Sequence, residues 1–166
     1  KRGGHYLGPH SDKHLLYCSW DDRDSLLVTE EQFSADLKKN YEIMAAYGIR
    51  REDAGFFLPP YEWHNDSIAA WAKKTGIQLI NFTPGTRSNA DYTWPALSNY
   101  LGSQAIYDQV VRYEKESASG LNGFILLLHL GTDPARKDKF YRLLPALLEY
   151  LKKRGYDFQR VDELLK

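Results

Sequence analysis

Two histidines near the start of the sequence have the spacing of a metal-ligand pair. His10 and His14 lie four residues apart, so both imidazoles fall on one side of a helical turn and can converge on one ion. Zinc binds imidazole nitrogen at about 2.0–2.1 Å, and a catalytic zinc usually has three protein ligands. A chain with five histidines can contain such a pair by chance, so the spacing predicts a metal site only together with other signals.

Two further polar residues occupy positions where chemistry commonly occurs. His129 directly follows the apolar run 124–128, and Asp91 lies in a polar loop. In parallel α/β folds, functional groups gather where strands end and loops begin. A histidine at such a place can act as a general acid or as a packing residue, and an isolated loop aspartate is commonly a turn residue.

The elements that must position these residues alternate between strand and helix patterns. Thr29 and Gln32 have capping-box spacing, and apolar residues follow at helical intervals. The patterns predict helices over 30–47, 66–75, 103–117 and from about 143 to Gly155, and strands over 54–58, 78–82, 124–128 and 156–161. Residues 83–102 form a long irregular loop, and loops of that length are usually functional. This order indicates an α/β fold with parallel strands, in an open sheet or a barrel, and 166 residues suffice for one domain.

Composition excludes several classes of protein. Lys plus Arg and Asp plus Glu both number 22, so there is no net positive field to attract nucleic acid. The apolar runs are much shorter than the roughly 20 residues that a membrane span needs. A single cysteine excludes an internal disulfide framework but leaves the cellular compartment open. Aromatic residues make up 14% of the chain. Those in loops could line a sugar-binding groove or pack over the ends of the hydrophobic core.

Residues 4–14, Gly-His-Tyr-Leu-Gly-Pro-His-Ser-Asp-Lys-His, resemble the His-Ser/Thr-x-x-His motif of the polysaccharide deacetylases, also called the NodB-homology or carbohydrate esterase family 4 domain. Later segments resemble three more motifs of that family, in order. Residues 58–61 are similar to Arg-x-Pro-Tyr/Phe, residues 88–92 to Asp-x-x-Asp-Trp, and residues 127–129 to Leu-x-His.

The resemblance implies a role for each matched residue. His10 and His14 would bind a divalent metal, usually zinc, together with an aspartate. Tyr61 would supply a backbone N–H to the oxyanion. Asp91 would hydrogen-bond His129 and favour its protonated form, and His129 would act as the general acid. Leu127 would line the pocket for the acetyl methyl group, and Tyr92, at the tryptophan position, would line the substrate site.

The sequence departs from the family at three places. Leu58 stands at the arginine position, which removes the cation expected to position the catalytic aspartate, and Ser88 replaces the first aspartate of its motif. The Thr-Phe-Asp-Asp-Gly motif, which supplies the base and the third ligand, is absent and would have preceded Lys1. We interpret Asp21 and Asp22, which follow the histidine pair without a preceding strand, as an exposed acidic turn.

The resemblance implies a distorted (β/α) barrel lacking its first strands, over the C-terminal portion of the domain at residues 1–166. It implies zinc-dependent removal of acetyl groups, by amide or ester hydrolysis, from an N-acetylated glycan or from O-acetylated xylan. It further implies an acetylated polysaccharide as partner and a location outside the cell, in the periplasm or in the cell envelope. Two alternatives stay open: a non-catalytic carbohydrate-binding module derived from the fold, and a metalloprotein acting on an unrelated small substrate.

Overall fold

The computed structural model describes residues 3–165, and these form two compact units. One unit comprises residues 3–81 together with 159–165, and the other comprises residues 82–158. The helices are α1 Glu30–Ala46, α2 Asp66–Lys74, α3 Ser103–Glu116, α4 Leu144–Lys153 and α5 Val161–Leu164. The strands are β1 Phe56–Phe57 and β2 Gln78–Leu79. Short 3-10 turns span Arg51–Asp53, Pro60–Glu62, Ser88–Tyr92 and Phe140–Arg142.

Helix α1 begins at the predicted capping box. The backbone N–H of Gln32 donates to the Thr29 hydroxyl at 3.3 Å, and the Gln32 side chain accepts from the Thr29 N–H at 2.8 Å. Two of the four N–H groups that a helix start leaves unpaired are thereby satisfied. The inward face of the helix carries buried apolar residues at helical spacing, and these join the core of the first unit: Phe33, Leu37, Tyr41 and Met44.

Strands β1 and β2 confirm the predicted parallel pairing across a helical connection. Phe56 pairs with Gln78 and Phe57 with Leu79, and α2 lies between the two strands in the chain. Asn65 caps α2 by accepting a hydrogen bond from the Ile68 N–H at 3.1 Å. The strands are two residues long, shorter than the predicted ranges 54–58 and 78–82, so the first unit is a mixed helix and strand structure with a small sheet.

The second unit is built on α3 and α4. Its core contains seven buried residues from these helices and the segments around them: Ala90, Ile106, Val110, Leu121, Phe140, Leu147 and Leu151. Pro145 lies in the first turn of α4, as predicted, where its missing N–H leaves no helical hydrogen bond unmade.

The predicted strand over 124–128 is wrong, because a strand needs successive backbone hydrogen bonds to a neighbouring segment and this run makes one with residue 83. The Thr83 N–H donates to the Ile125 carbonyl at 3.0 Å, but the Ile125 N–H donates to the Thr83 hydroxyl at 3.1 Å instead of to a backbone carbonyl. A side-chain oxygen thus takes the place of the next backbone acceptor. The run 124–128 is therefore not part of a sheet, and His129 follows a segment that is not a strand.

The predicted strand over 156–161 is also wrong, because both ends of that segment belong to helical turns. The Tyr156 N–H donates to the Leu151 carbonyl at 3.1 Å, which closes the end of α4. The Arg160 carbonyl accepts from the N–H groups of Glu163 and Leu164, which opens α5. None of the helices within residues 3–165 is both long and apolar enough to span a bilayer.

Candidate functional site

The rings of His10 and His14 lie together in the first unit. Their centroids are 5.1 Å apart, with an angle of 68° between the ring planes. His14 has a left-handed backbone with a φ of 52°, a conformation that is uncommon outside glycine and is often found at functional sites. The predicted pair is thus brought together by a turned loop.

A backbone carbonyl orients the His10 ring. Nδ1 of His10 lies 2.8 Å from the Leu58 carbonyl oxygen, and because a carbonyl only accepts, Nδ1 carries the proton. The lone pair of a neutral His10 is therefore on Nε2, the arrangement usual for a metal-binding imidazole. The Leu58 side chain carries no positive charge and cannot replace an arginine, but the Leu58 backbone carbonyl fixes the tautomer of His10.

Asp36 holds the loop that carries both histidines. Its buried carboxylate accepts from the Ser11 hydroxyl at 2.5 Å and from the backbone N–H groups of Asp12 at 3.1 Å and Lys13 at 2.9 Å. The Ser11 oxygen in turn accepts from the His14 N–H at 3.0 Å. Sequence reasoning missed Asp36, although a charged residue on the apolar face of α1 was a signal that could have identified it.

Tyr61 lies beside His14. The ring centroids are 4.5 Å apart, and Tyr61 has a left-handed backbone with a φ of 59° inside the turn Pro60–Glu62. Tyr61 is 46% exposed, and its ring also meets that of Trp20 edge-on. The structure brings His10, His14 and Tyr61 of the sequence prediction into one cluster.

In the second unit, Asp91 and His129 make two hydrogen bonds with each other. Nδ1 of His129 lies 2.7 Å from Oδ1 of Asp91, and the His129 backbone N–H donates to Oδ2 at 2.7 Å. The Asp91 side chain is 2% exposed and that of His129 is 29% exposed. This confirms the predicted hydrogen bond between the two residues.

Tyr92 and Leu127 accompany this pair. The Tyr92 ring lies edge-on to the imidazole of His129, with 5.8 Å between centroids and 70° between planes, and its side chain is 43% exposed. Leu127 is half-buried two residues before His129. Both predicted lining residues are thus near His129, in space for Tyr92 and in sequence for Leu127.

The chain is similar to known deacetylases in sequence and in fold. The chain is 29% identical over 163 residues to a peptidoglycan-N-acetylglucosamine deacetylase of Bacillus cereus. The aligned region covers 98% of this chain and 64% of that protein. A solved peptidoglycan N-acetylglucosamine deacetylase superposes with a TM-score of 0.71 at 18% identity, over 98% of this chain and 64% of the other. A carbohydrate esterase family 4 pseudoenzyme from Bacillus anthracis superposes with a TM-score of 0.66 at 18% identity, over 96% of this chain and 46% of the other. No family model matches the chain.

The resemblance to the polysaccharide deacetylases is confirmed. The chain spans 64% of the length of the curated deacetylase that it matches. At 18% identity, the solved structures establish the fold alone, and one of them is described as a pseudoenzyme.

The histidine pair fits part of a metal site. Two imidazoles, one with its tautomer fixed by the Leu58 carbonyl, suit zinc or a similar divalent cation. Across residues 3–165, no group of three or more His, Cys, Asp or Glu side chains is placed to hold a metal. Within residues 3–165, His10 and His14 are thus a pair of candidate ligands without a third side chain of these types beside them.

Asp21 and Asp22 are exposed, in agreement with their interpretation as an acidic turn. Their backbone N–H groups face the Ser19 hydroxyl at 3.2 and 3.4 Å, so the turn is built on that serine. Within the described residues, they do not join the histidine pair in a metal-binding cluster.

Arg136 is a further residue that sequence reasoning missed. It is fully buried, and its Nη1 donates to the carbonyls of Thr93 at 2.7 Å and Leu101 at 2.9 Å, while Nη2 donates to the Ser103 hydroxyl at 3.1 Å. Arg136 thereby connects the segment after His129 to the loop that follows Tyr92. An arginine in a polar loop gave no sequence signal of burial, since arginine is usually exposed.

Proposed function

We propose that this chain belongs to a hydrolase that removes acetyl groups from a polysaccharide. The observation that carries the proposal is the double hydrogen bond between Asp91 and His129. The resemblance assigns these two residues to the family's acid and its carboxylate partner. The 29% identity to a deacetylase over almost the whole chain supports it.

In this mechanism, His129 is the general acid. Its Nδ1 proton is held by the Asp91 carboxylate, so the ring exchanges a proton with the substrate through Nε2. A water molecule adds to the acetyl carbon and loses a proton to the base that the resemblance assigns to the family's Thr-Phe-Asp-Asp-Gly motif. The bond from that carbon to the sugar nitrogen or oxygen then breaks, His129 protonates the departing amine or hydroxyl, and the proton held by the base returns the site to its starting state through solvent. The products are acetate and the deacetylated glycan.

His10 and His14 are the residues that would hold a divalent cation, with zinc the first candidate. When bound, such a cation supplies Lewis-acid activation of the acetyl carbonyl and of the attacking water. The contribution of the chain is to fix the His10 ring through the Leu58 carbonyl and the loop through Asp36, which limits rearrangement on binding.

The remaining predicted residues bind the acetylated sugar. The Tyr61 backbone N–H is assigned to the oxyanion of the tetrahedral intermediate, because oriented donors stabilise charge that develops during the reaction. Leu127 is assigned to the acetyl methyl group and Tyr92 to the sugar. The substrate class is an N-acetylated glycan such as peptidoglycan or a chitin-like polymer, or an O-acetylated xylan.

Two further parts of the proposal rest on the resemblance to the family. The complete domain is a distorted (β/α) barrel of the NodB-homology type, of which this chain is the C-terminal portion. Because such polymers lie outside the cytoplasm, the protein works in the cell envelope, in the periplasm or outside the cell.

A second candidate is a carbohydrate-binding module that has lost the chemistry. Two observations favour it: leucine replaces the motif arginine at position 58, and residues 3–165 contain no third metal ligand beside His10 and His14. A binder would keep its affinity for the glycan while showing no hydrolysis.

Replacing His129 separates the two candidates. If His129 is the acid, His129→Ala lowers turnover by about 10²–10⁴-fold, the usual cost of losing a general acid, and leaves metal content near its wild-type value. This loss of turnover exceeds what the fall in melting temperature from the lost Asp91 hydrogen bond accounts for. The measurement is acetate release from N-acetylglucosamine oligomers and from acetylated xylan, with a melting curve.

Undiminished release by a folded, metal-loaded His129→Ala protein ends the general-acid assignment. Binding of the same glycans by a wild-type protein that releases no acetate supports the carbohydrate-binding candidate instead.

A further inference from the structure

Trp20 is a large aromatic side chain held at the tip of a hairpin in the first unit. The hairpin closes through hydrogen bonds from the Leu27 N–H to the Tyr17 carbonyl at 2.9 Å and from the Ser19 N–H to the Ser25 carbonyl at 2.9 Å. Although Trp20 touches two other rings, it is 56% exposed. An exposed indole that neighbouring rings hold in place is a candidate contact for a ligand.

The hairpin tip is fastened to the segment that precedes α2. Trp63 stacks obliquely on Trp20, with centroids 5.3 Å apart and 32° between ring planes, and its Nε1 donates to the Ser19 carbonyl at 3.0 Å. The Arg23 guanidinium lies 4.3 Å from the Trp63 ring centroid, and the Asn65 side chain donates to the Arg23 carbonyl at 2.9 Å. Trp20 is therefore presented on a supported surface, which lowers the entropy cost of binding a ligand there.

This surface continues to the histidine pair. The Trp20 and Tyr61 rings meet edge-on, with centroids 5.8 Å apart and 81° between planes, and Tyr61 lies 4.5 Å from His14 by the same measure. Trp20, Tyr61 and His14 thus form a continuous row of rings that leads from the hairpin tip to the candidate metal ligands.

We propose that Trp20 forms a sugar-binding subsite, on which a pyranose ring of the acetylated glycan stacks beside the residue that undergoes deacetylation. A pyranose presents C–H groups on its faces and hydroxyls around its edge, so it suits an exposed aromatic ring next to polar acceptors. The exposed carboxylates of Asp21 and Asp22 lie in the same turn and can accept hydrogen bonds from sugar hydroxyls.

A glycan fits this surface better than a protein partner does. The exposed indole is flanked by the charged residues 21–24 of its own turn, and the exposed Leu26 and Leu27 follow on the same hairpin. This mixture of polar and apolar groups matches the faces and edge of a pyranose, whereas a protein-binding patch of useful size is a broader apolar area. The continuity with His14 also places the subsite where a polymer that reaches the histidine pair would extend. The inference rests on the proposed function for the identity of its ligand as a glycan.

The test compares Trp20→Ala with Tyr47→Ala, a control that removes an aromatic side chain that is 81% exposed and lies just beyond the end of α1. Both are made in the protein carrying His129→Ala, so that hydrolysis does not consume the ligand. Calorimetry with the N-acetylglucosamine tetramer and with acetylated xylotetraose should show a dissociation constant about tenfold weaker for Trp20→Ala and unchanged for Tyr47→Ala. Trp20→Phe, which retains a ring, should lie between the two.

Equal tetramer affinity in the Trp20→Ala and parent proteins would overturn the subsite, as would a parent that binds neither tetramer at millimolar concentration. The proposed function fails differently: if the wild type binds a tetramer through Trp20 yet releases no acetate, the catalytic proposal is lost and the subsite stands.

Discussion

Asp91 binds both the ring and the backbone of His129, one carboxylate oxygen at 2.7 Å from Nδ1 and the other at 2.7 Å from the backbone nitrogen. The two contacts fix the side chain of His129 and the position of its main chain together. A carboxylate only accepts, so the geometry also fixes the tautomer. The pair is thus oriented before substrate arrives, which is the property that a general acid requires.

Asp91→Asn should lower turnover by about 10²–10⁴-fold while the protein stays folded, because an amide can present a donor to Nδ1 and permit the wrong tautomer. The measurement is the pH profile of turnover together with a melting curve. Asp108→Asn, at an exposed position of α3, is the matched control. A proportional loss of stability and activity in Asp91→Asn would indicate a structural role only.

His10→Ala combined with His14→Ala should abolish specific binding of a zinc-like cation, because the structure brings these two imidazoles together and fixes the tautomer of one. Metal analysis after dialysis, with competition against a chelator, gives the result directly. His64→Ala is a suitable control, since it removes a histidine outside the pair. Equal metal content in the double variant and the wild type would refute the assignment.

Asp36→Ala should weaken metal binding by about 10–100-fold without removing either ligand, because three hydrogen bonds that hold residues 11–13 are lost. Hydrogen exchange of the Asp12 and Lys13 amides should quicken in the same variant. Glu42→Gln, at an exposed position of α1, should change neither quantity. Unchanged affinity and exchange in Asp36→Ala would show that the loop is held by other contacts.

Glu114→Gln should reduce stability at neutral pH and have little effect in acid. Burial tends to raise the pKa of the Glu114 carboxyl, but hydrogen bonds from Tyr150 and Arg154, together with the Arg154 charge, bring it below its ordinary value. A lowered pKa in the folded state contributes stability above the unfolded-state pKa of about 4.3, and that contribution is lost as pH falls through the folded-state pKa.

We therefore expect Glu114→Gln to lower the free energy of unfolding by about 1–3 kcal/mol at pH 7, with the difference shrinking below about pH 4. Urea unfolding at several pH values measures it. Glu116→Gln, exposed on the same helix, provides the comparison. A difference that is constant from pH 7 to pH 3 would contradict the role of the Glu114 charge.

The sequence determined the features that depend on neighbours in the chain. The capping box at Thr29 and Gln32, the helical spacing along α1 and the position of Pro145 in α4 involve contacts within a few residues, so their patterns predicted the elements. Motif order identified Asp91 and His129 as partners, although 38 residues separate them.

Tertiary structure decided which backbone groups found partners at long range. The run 124–128 has the composition of a strand, but the Thr83 hydroxyl took the place of a backbone acceptor, which no local pattern reveals. The burial of Asp36 and Arg136 likewise depends on segments 23 to 43 residues away that supply their hydrogen bonds. A charged side chain is buried only where hydrogen-bond partners compensate for the loss of its hydration. The fold supplies these partners, so the sequence around the residue does not reveal its burial.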